Sequence, residues 1–115
     1  MKVRDILSAF NLELAAGGRG LDREVTEGYC GDLLSDVIAN AVKGGLWITI
    51  QSHQNILAVA VLKELAAIVL AKGHRPDDDT IAKAEEEGIP VLVSSMSSYE
   101  LAGMLYEAGI RQKEG

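Results

Sequence analysis

The chain is poor in the residues that staple, kink or interrupt a fold. Cys30 is its one cysteine, so no internal disulfide can form, and a cytoplasmic protein is expected. It has two prolines, no low-complexity tract, no convincing internal repeat and no linker-like stretch. Residues 1–115 are therefore expected to form one domain. Positive charge is scarce too. Eleven Lys and Arg against 17 Asp and Glu leave a formal net charge of -6. That argues against nucleic acid, whose affinity rests on basic side chains neutralising phosphates. Nor is there a long hydrophobic run. The longest mainly apolar window, Ile56 to Ala71, is broken by Lys63 and Glu64 and is too short for a bilayer. The opening Met1-Lys2-Val3-Arg4-Asp5 has no apolar signal core behind it. Neither a membrane nor nucleic acid is an expected partner.

What is present suits a soluble core. Hydrophobic residues make up 48 % and charged residues 24 %, an ordinary globular balance. Val3, Ile6, Leu7 and Phe10 recur at helical spacing. Leu12 to Ala15 reads as a short strand, and Gly17-Gly18-Arg19-Gly20 as a turn. Val25 to Cys30 is a second strand. Asp32 or Ser35 is placed to cap a helix reaching Val42, which Gly44-Gly45 stops. Leu46 to Ile50 is rich in β-branched and aromatic residues. Asn55 is a candidate cap for a helix from Ile56 to Leu65. Ala66 to Leu70 is a continuous apolar strand, as expected where both faces are covered. Pro76-Asp77-Asp78-Asp79 opens a helix ending at Gly88, and Ile89 to Val93 is the last strand, its proline fitting a strand start or an edge. Ser97 or Ser98 caps a final helix, Tyr99 to Ala108. Strands separated by helices imply a three-layer α/β/α domain on a parallel or mostly parallel sheet of about five strands.

That topology has a positional consequence. In a parallel sheet every strand-to-helix loop falls at one edge, the usual ligand edge. Those loops hold Cys30, Gly31 and Asp32; Gln51, Ser52, His53, Gln54 and Asn55; Lys72, Gly73, His74 and Arg75; and Ser94, Ser95, Ser97 and Ser98. The other edge is mostly glycine and alanine. Helix starts need Ser, Asn and Asp caps in any case, which accounts for part of the contrast. Two histidines and a glutamine exceed that need. With Thr49, they make Asp32, Gln51, His53, Asn55, His74, Ser94 and Ser95 candidate ligand-binding residues.

Asp22-Arg23, Thr26 and Gly28, followed by a strand and Asp32-Leu33-Leu34-Ser35, resemble the DRTGG domain family, itself similar in fold to the N-terminal domain of HPr kinase/phosphorylase. Leu46 to Ile50 and Gly88-Ile89-Pro90-Val91-Leu92 also resemble that family, and the likeness runs from about Val3 to Ile110. The pattern departs from it where Glu27 separates Thr26 from Gly28, where no second glycine follows Gly28, and at the turn Gln51 to Asn55. The resemblance implies a regulatory or accessory module, of the kind found beside nucleotide-sensing CBS domains, within phosphotransacetylases or ahead of a kinase domain, here expected to stand alone. It also adds Asp22, Arg23, Thr26 and Gly28 to the candidate binding residues. Kinase chemistry is not expected, because no glycine-rich loop ends in Gly-Lys-Ser/Thr.

The remaining candidates have plainer readings beside their functional ones. Asp22-Arg23 is either an anion-binding pair or a local salt bridge holding the turn before the second strand. Cys30 would need His53 or His74 beside it to act as a nucleophile, and is more simply a small hydrophobe at a strand end. Neither histidine has the close ligand spacing of a structural metal site, so no metal, no cofactor and no catalytic residue is expected. Asp77-Asp78-Asp79 and Glu85-Glu86-Glu87 read as solvated helix ends, and Trp47 and Tyr29 as core or interface aromatics. Three functions follow. The first is a non-catalytic module binding a small anionic metabolite or nucleotide. The second is a homodimeric interaction domain docking to a metabolic or signalling partner, since Leu33, Leu34, Val37 and Ile38 crowd one helix. The third is a small enzyme using Cys30 or His53.

Overall fold

A computed structural model describes residues 1–112. Five strands form one sheet: β1 (Glu13–Ala16), β2 (Glu27–Cys30), β3 (Gly45–Thr49), β4 (Ala67–Leu70) and β5 (Val91–Val93). The helices are α1 (Val3–Ala9), α2 (Leu34–Asn40), α3 (Asn55–Leu62), α4 (Asp78–Glu87) and α5 (Ser98–Glu107). The spatial order is β1-β5-β4-β3-β2. From β2 to β5 each strand lies parallel beside its predecessor. β1 is antiparallel to β5, with an irregular register between Leu14 and Ala16. The sheet is thus mostly parallel, with one antiparallel edge.

Strand alternation builds two cores, one on each face. Leu46, Ile48, Ala67, Val69 and Leu92 turn toward α1 and α5, where they meet Val3, Ile6, Leu101 and Leu105. Trp47, Ile68, Leu70 and Val91 turn the other way, toward Val37, Ile56, Leu57, Ala60 and Ala84 of α2, α3 and α4. β3 and β4 are buried along their whole length, which is why they read as unbroken apolar runs. Pro90 immediately precedes β5 and its carbonyl accepts from Ile68 N at 3.0 Å. A proline fits there because it need donate nothing.

Several helix starts differ from the sequence expectation. Leu33, not Asp32 or Ser35, is the N-cap of α2, and no side chain caps it. Asn55 is the first residue of α3 rather than its cap, and His53 Nδ1 accepts its backbone N–H at 3.3 Å. Ser97 does cap α5, its side chain accepting from Glu100 N at 3.2 Å. α2 and α3 are shorter than their apolar patterns imply, because Ala41 is extended and Glu64 is left-handed with φ 52°.

The glycine turn Gly17–Gly20 lies against the end of α4. A Cβ on Gly17 would sit 2.0 Å from Ile89 O, and one on Gly20 2.2 Å from Gly88 O. These positions need glycine because backbone meets backbone there.

Candidate functional site

The parallel winding brings four loops to one rim. Asp32 follows β2, His53 follows β3, His74 follows β4 and Ser95 follows β5. Because neighbouring strands lie about 4.8 Å apart, the four loops form a row about 15 Å long. All four residues are exposed.

Asp32 organises the β2–β3 end of the row. Its Oδ1 accepts from Thr49 Oγ1 at 2.7 Å and from Ile50 N at 2.9 Å. Gln51 Nε2 donates to Asp32 O at 3.1 Å, and Gln51 N donates back to Thr49 Oγ1 at 3.2 Å. Trp47, wholly buried, donates its Nε1–H to Gly31 O at 2.8 Å. Further along, Asp77 N and Thr80 Oγ1 both donate to Ser52 O, at 3.1 and 2.6 Å, tying the β3–α3 loop to the start of α4. Lys72 N donates to Met96 O at 2.7 Å and Gly73 N to Ser94 O at 2.8 Å, while buried Ser94 accepts from Met96 N at 3.1 Å. Each loop is hydrogen-bonded to its neighbour, so the rim is a braced surface. These backbone amides are spent on bracing. Side chains are what the rim offers a ligand: Gln51, His53, Asn55, Lys72, His74 and Ser95. Since His53 Nδ1 accepts, the neutral ring carries its proton on Nε2 and presents a donor there.

Asp22, Arg23 and Thr26 are elsewhere. They lie at the opposite edge, before the N-terminal end of β2. Asp22 pairs with Arg4 of α1 at 3.1 Å rather than with Arg23, and the Arg4 guanidinium holds its carboxyl below the ordinary range. Arg23 O accepts from Val3 N at 3.0 Å, and Thr26 Oγ1 donates to Lys43 O at 3.0 Å. Arg19, Asp22 and Arg23 border a cleft of about 460 Å³ beside Gly88. Gly28 lies within β2 on the face toward α5, its Cα hydrogen aimed at Ile110. The twelve candidates therefore do not form one site. Eight share the rim, three lie at the far edge, and Gly28 lies between.

Cys30 and Tyr29 illustrate how β2 divides its two faces. Tyr29 hydrogen-bonds the Asp36 carboxylate of α2, and this bond, ahead of burial, raises its phenol to about 12. Cys30 is raised as well, by burial and then by the Asp32 carboxylate. A thiol held protonated is a weak nucleophile. His53 uses Nδ1 to accept from Asn55 N, so that nitrogen is not available to a thiol. At the β1 edge, Arg75 grips Glu13 in a two-pronged pair of 3.1 and 2.5 Å, holding the Glu13 carboxyl below its ordinary value. Among the described residues no three His, Cys, Asp or Glu are grouped to hold a metal ion, and no helix is long and apolar enough to cross a membrane.

One feature escaped the sequence reading. A cleft of about 160 Å³ opens between α5 and the β2–β3 end of the sheet, lined among others by Gly28, Cys30, Ile48, Ala102, Tyr106 and Arg111. Gly28 was its one visible signal, since a glycine inside a strand marks close approach of something to the backbone.

Comparison with known proteins bears on this arrangement. No curated protein matches the chain. Among solved structures, one similar in fold is the regulatory region of Clostridium perfringens pyrophosphatase, comprising CBS and DRTGG domains and complexed with its activator, diadenosine tetraphosphate. The TM-score is 0.69 at 13 % identity, over 99 % of this chain and 51 % of that one, so the chain spans about half of that structure's length. The family model of the DRTGG domain matches residues 5–108. The chain belongs to the DRTGG domain family.

Proposed function

We propose that this chain is a non-catalytic regulatory module whose rim binds a small anionic metabolite or nucleotide. The observation that carries the reading is the delivery of four polar loops to one edge by four consecutive parallel strands. On that rim His53, His74 and Lys72 supply donors for an anion, with Gln51, Asn55 and Ser95 beside them. Asp32 and Thr49 brace the loops, and Ser94 holds the last one from beneath. The membership of the family supports a regulatory role, and the related pyrophosphatase region supports a nucleotide as ligand. Isothermal titration against adenine nucleotides and acyl phosphates tests this. A millimolar-range or tighter heat signal that weakens in His53→Ala and His74→Ala is the expected result, and silence across the panel would defeat it.

A second reading, a homodimer that docks to a metabolic or signalling enzyme, draws on the exposed apolar side chains. Leu33 is 69 % exposed, Leu62 65 % and Tyr99 90 %. Of the four apolar residues on and before α2, only Val37 is fully buried and Leu34 half-buried, leaving Leu33 and Ile38 outward. Light scattering that returns a strict monomer at high concentration would remove the dimer. A Cys30 or His53 enzyme is the least supported reading, given the protonated thiol and the occupied imidazole nitrogen.

A further inference from the structure

We propose a second, distinct binding site in the cleft between α5 and the β2–β3 end of the sheet, for a planar aromatic ring carrying one anionic group, with a purine mononucleotide as the fitting class. The proposal rests on the reading of the chain as a ligand-binding module, but not on the rim.

The cleft is built from small and flat elements. Its floor is Ile48 and Leu105, both almost fully buried, with Ile110 at one end. Two small residues keep it open. Gly28 contributes no side chain from the strand, and Ala102 contributes only a methyl from the helix. The volume of about 160 Å³ matches a site for one ring, since an apolar cavity of roughly 150 Å³ accommodates benzene. It is too small for a whole drug-sized ligand, which occupies about 300 Å³ or more. One ring of a purine therefore enters the cleft, and its fused second ring, the sugar and the phosphate remain at the mouth.

The mouth carries the matching chemistry. Arg111 lies over the Tyr106 ring, 4.8 Å from its centroid, and donates Nε–H to Tyr106 O at 3.1 Å. That contact fixes the guanidinium plane beside the opening. Aromatic–guanidinium pairs stack on nucleobases, and a guanidinium is the side chain best shaped for phosphate or carboxylate. Among the described residues Arg111 is the one cationic residue lining this cleft, in a chain of net charge -6. An uncharged ring would use the floor alone, and an anion without a ring would use Arg111 alone. A ring bearing an anion uses both.

Cys30 lines the same cleft and is the chain's sole cysteine, so its alkylation reports on occupancy. The experiment follows N-ethylmaleimide labelling of Cys30 by mass spectrometry, with AMP, adenosine and ribose 5-phosphate as probes. With AMP at ten times its Kd, labelling should slow about tenfold. Adenosine should protect only at higher concentration, and ribose 5-phosphate not at all. Arg111→Ala should lower AMP to the level of adenosine. Ala102→Leu, which fills the cleft from the helix, should abolish protection, and Gly28→Val should do so from the strand, each variant first verified as folded by circular dichroism. An unchanged labelling rate with millimolar AMP overturns the proposal, as does protection that survives in a folded filled variant. Calorimetric AMP binding without Cys30 protection overturns the cleft and leaves the regulatory module standing. Protection that persists in His53→Ala and His74→Ala supports the cleft as a site separate from the rim, and protection lost in them overturns it. Neither heat nor protection defeats both.

Discussion

Asp32 is the residue whose loss should disturb the rim most, and its hydrogen bonds set the size of the effect. A single oxygen, Oδ1, accepts from both Thr49 Oγ1 and Ile50 N. Thr49 is 1 % exposed, so in Asp32→Ala its hydroxyl loses a partner that water cannot readily replace. Hydrogen bonds to a charged acceptor contribute about 1.5–3 kcal/mol each when buried, but Asp32 is exposed and its charge is screened. About 1 kcal/mol per bond is therefore expected, or about 2 kcal/mol for Asp32→Ala. With an unfolding entropy of roughly 2.1 cal/mol/K per residue over 115 residues, that loss lowers Tm by about 8 °C. Asp32→Asn is the informative control. Its amide oxygen can occupy the Oδ1 position and accept both bonds, losing only the charge, so it should cost about 1 kcal/mol or less. Differential scanning calorimetry of the two variants, with Thr49→Val and the Asp32→Ala/Thr49→Val double variant, measures the coupling, expected near 1 kcal/mol. Equal Tm losses for Asn and Ala, or a coupling indistinguishable from zero, would refute the assignment of Asp32 as the brace.

Three further predictions come from elsewhere in the fold. Gly17→Ala should cost more than about 3 kcal/mol, seen as poor soluble yield or a collapse in urea midpoint, since it combines a φ of 77° with a clash against Ile89 O. The Glu13–Arg75 pair lowers the Glu13 carboxyl below 4.5, so its contribution is full above that pH and lost as pH falls through the lowered value. The stability difference between the native chain and Glu13→Gln should therefore shrink on acidification and in high salt. Tyr29, raised from 10.0 to about 12, contributes stability that is present below pH 10 and lost as pH climbs toward 12. Ultraviolet titration should find its phenolate absent where an ordinary tyrosine ionises, and Asp36→Asn should move its ionisation back toward the ordinary range, with burial still holding it above.

The fold was legible wherever burial alone decides structure. Leu46 to Ile50 and Ala66 to Leu70 read as strands because β3 and β4 are covered on both faces, and a short unbroken run of mainly apolar residues suits a strand buried on both sides. The caps were less legible for a definite reason. Asp32 is a good N-cap in isolation, but its carboxylate is claimed by Thr49 and Ile50, 17 and 18 residues away. Local propensity cannot foresee a partner supplied by the next strand. Asn55 was misplaced by one turn position because His53, an uncommon acceptor, covers its amide. The rim itself followed from topology, since parallel strands leave no choice of edge. The α5 cleft could not, because it depends on how α5 settles against β2 and β3.

The motif residues explain why family membership says more about scaffold than about ligand. Asp22 ties the turn to α1 through Arg4. Arg23 accepts from Val3 N through its carbonyl, and Thr26 reaches Lys43 O across the start of β3. Gly44, with φ 80°, must be glycine because a Cβ there would meet Thr26 Oγ1 at 2.7 Å. These contacts fasten the N-terminal edge of the sheet, where backbone packs on backbone and little room is left to vary. The rim loops lie at the other end, and the turn Gln51 to Asn55 needs only to reach Asp32 and Thr80 to keep its place. An edge locked by glycine and hydrogen bonds can carry many different loops on its far side. Substituting His74 should therefore leave stability within about 0.5 kcal/mol, whereas Thr26→Val should lower it through the lost bond to Lys43, and ligand specificity should follow the rim rather than the motif.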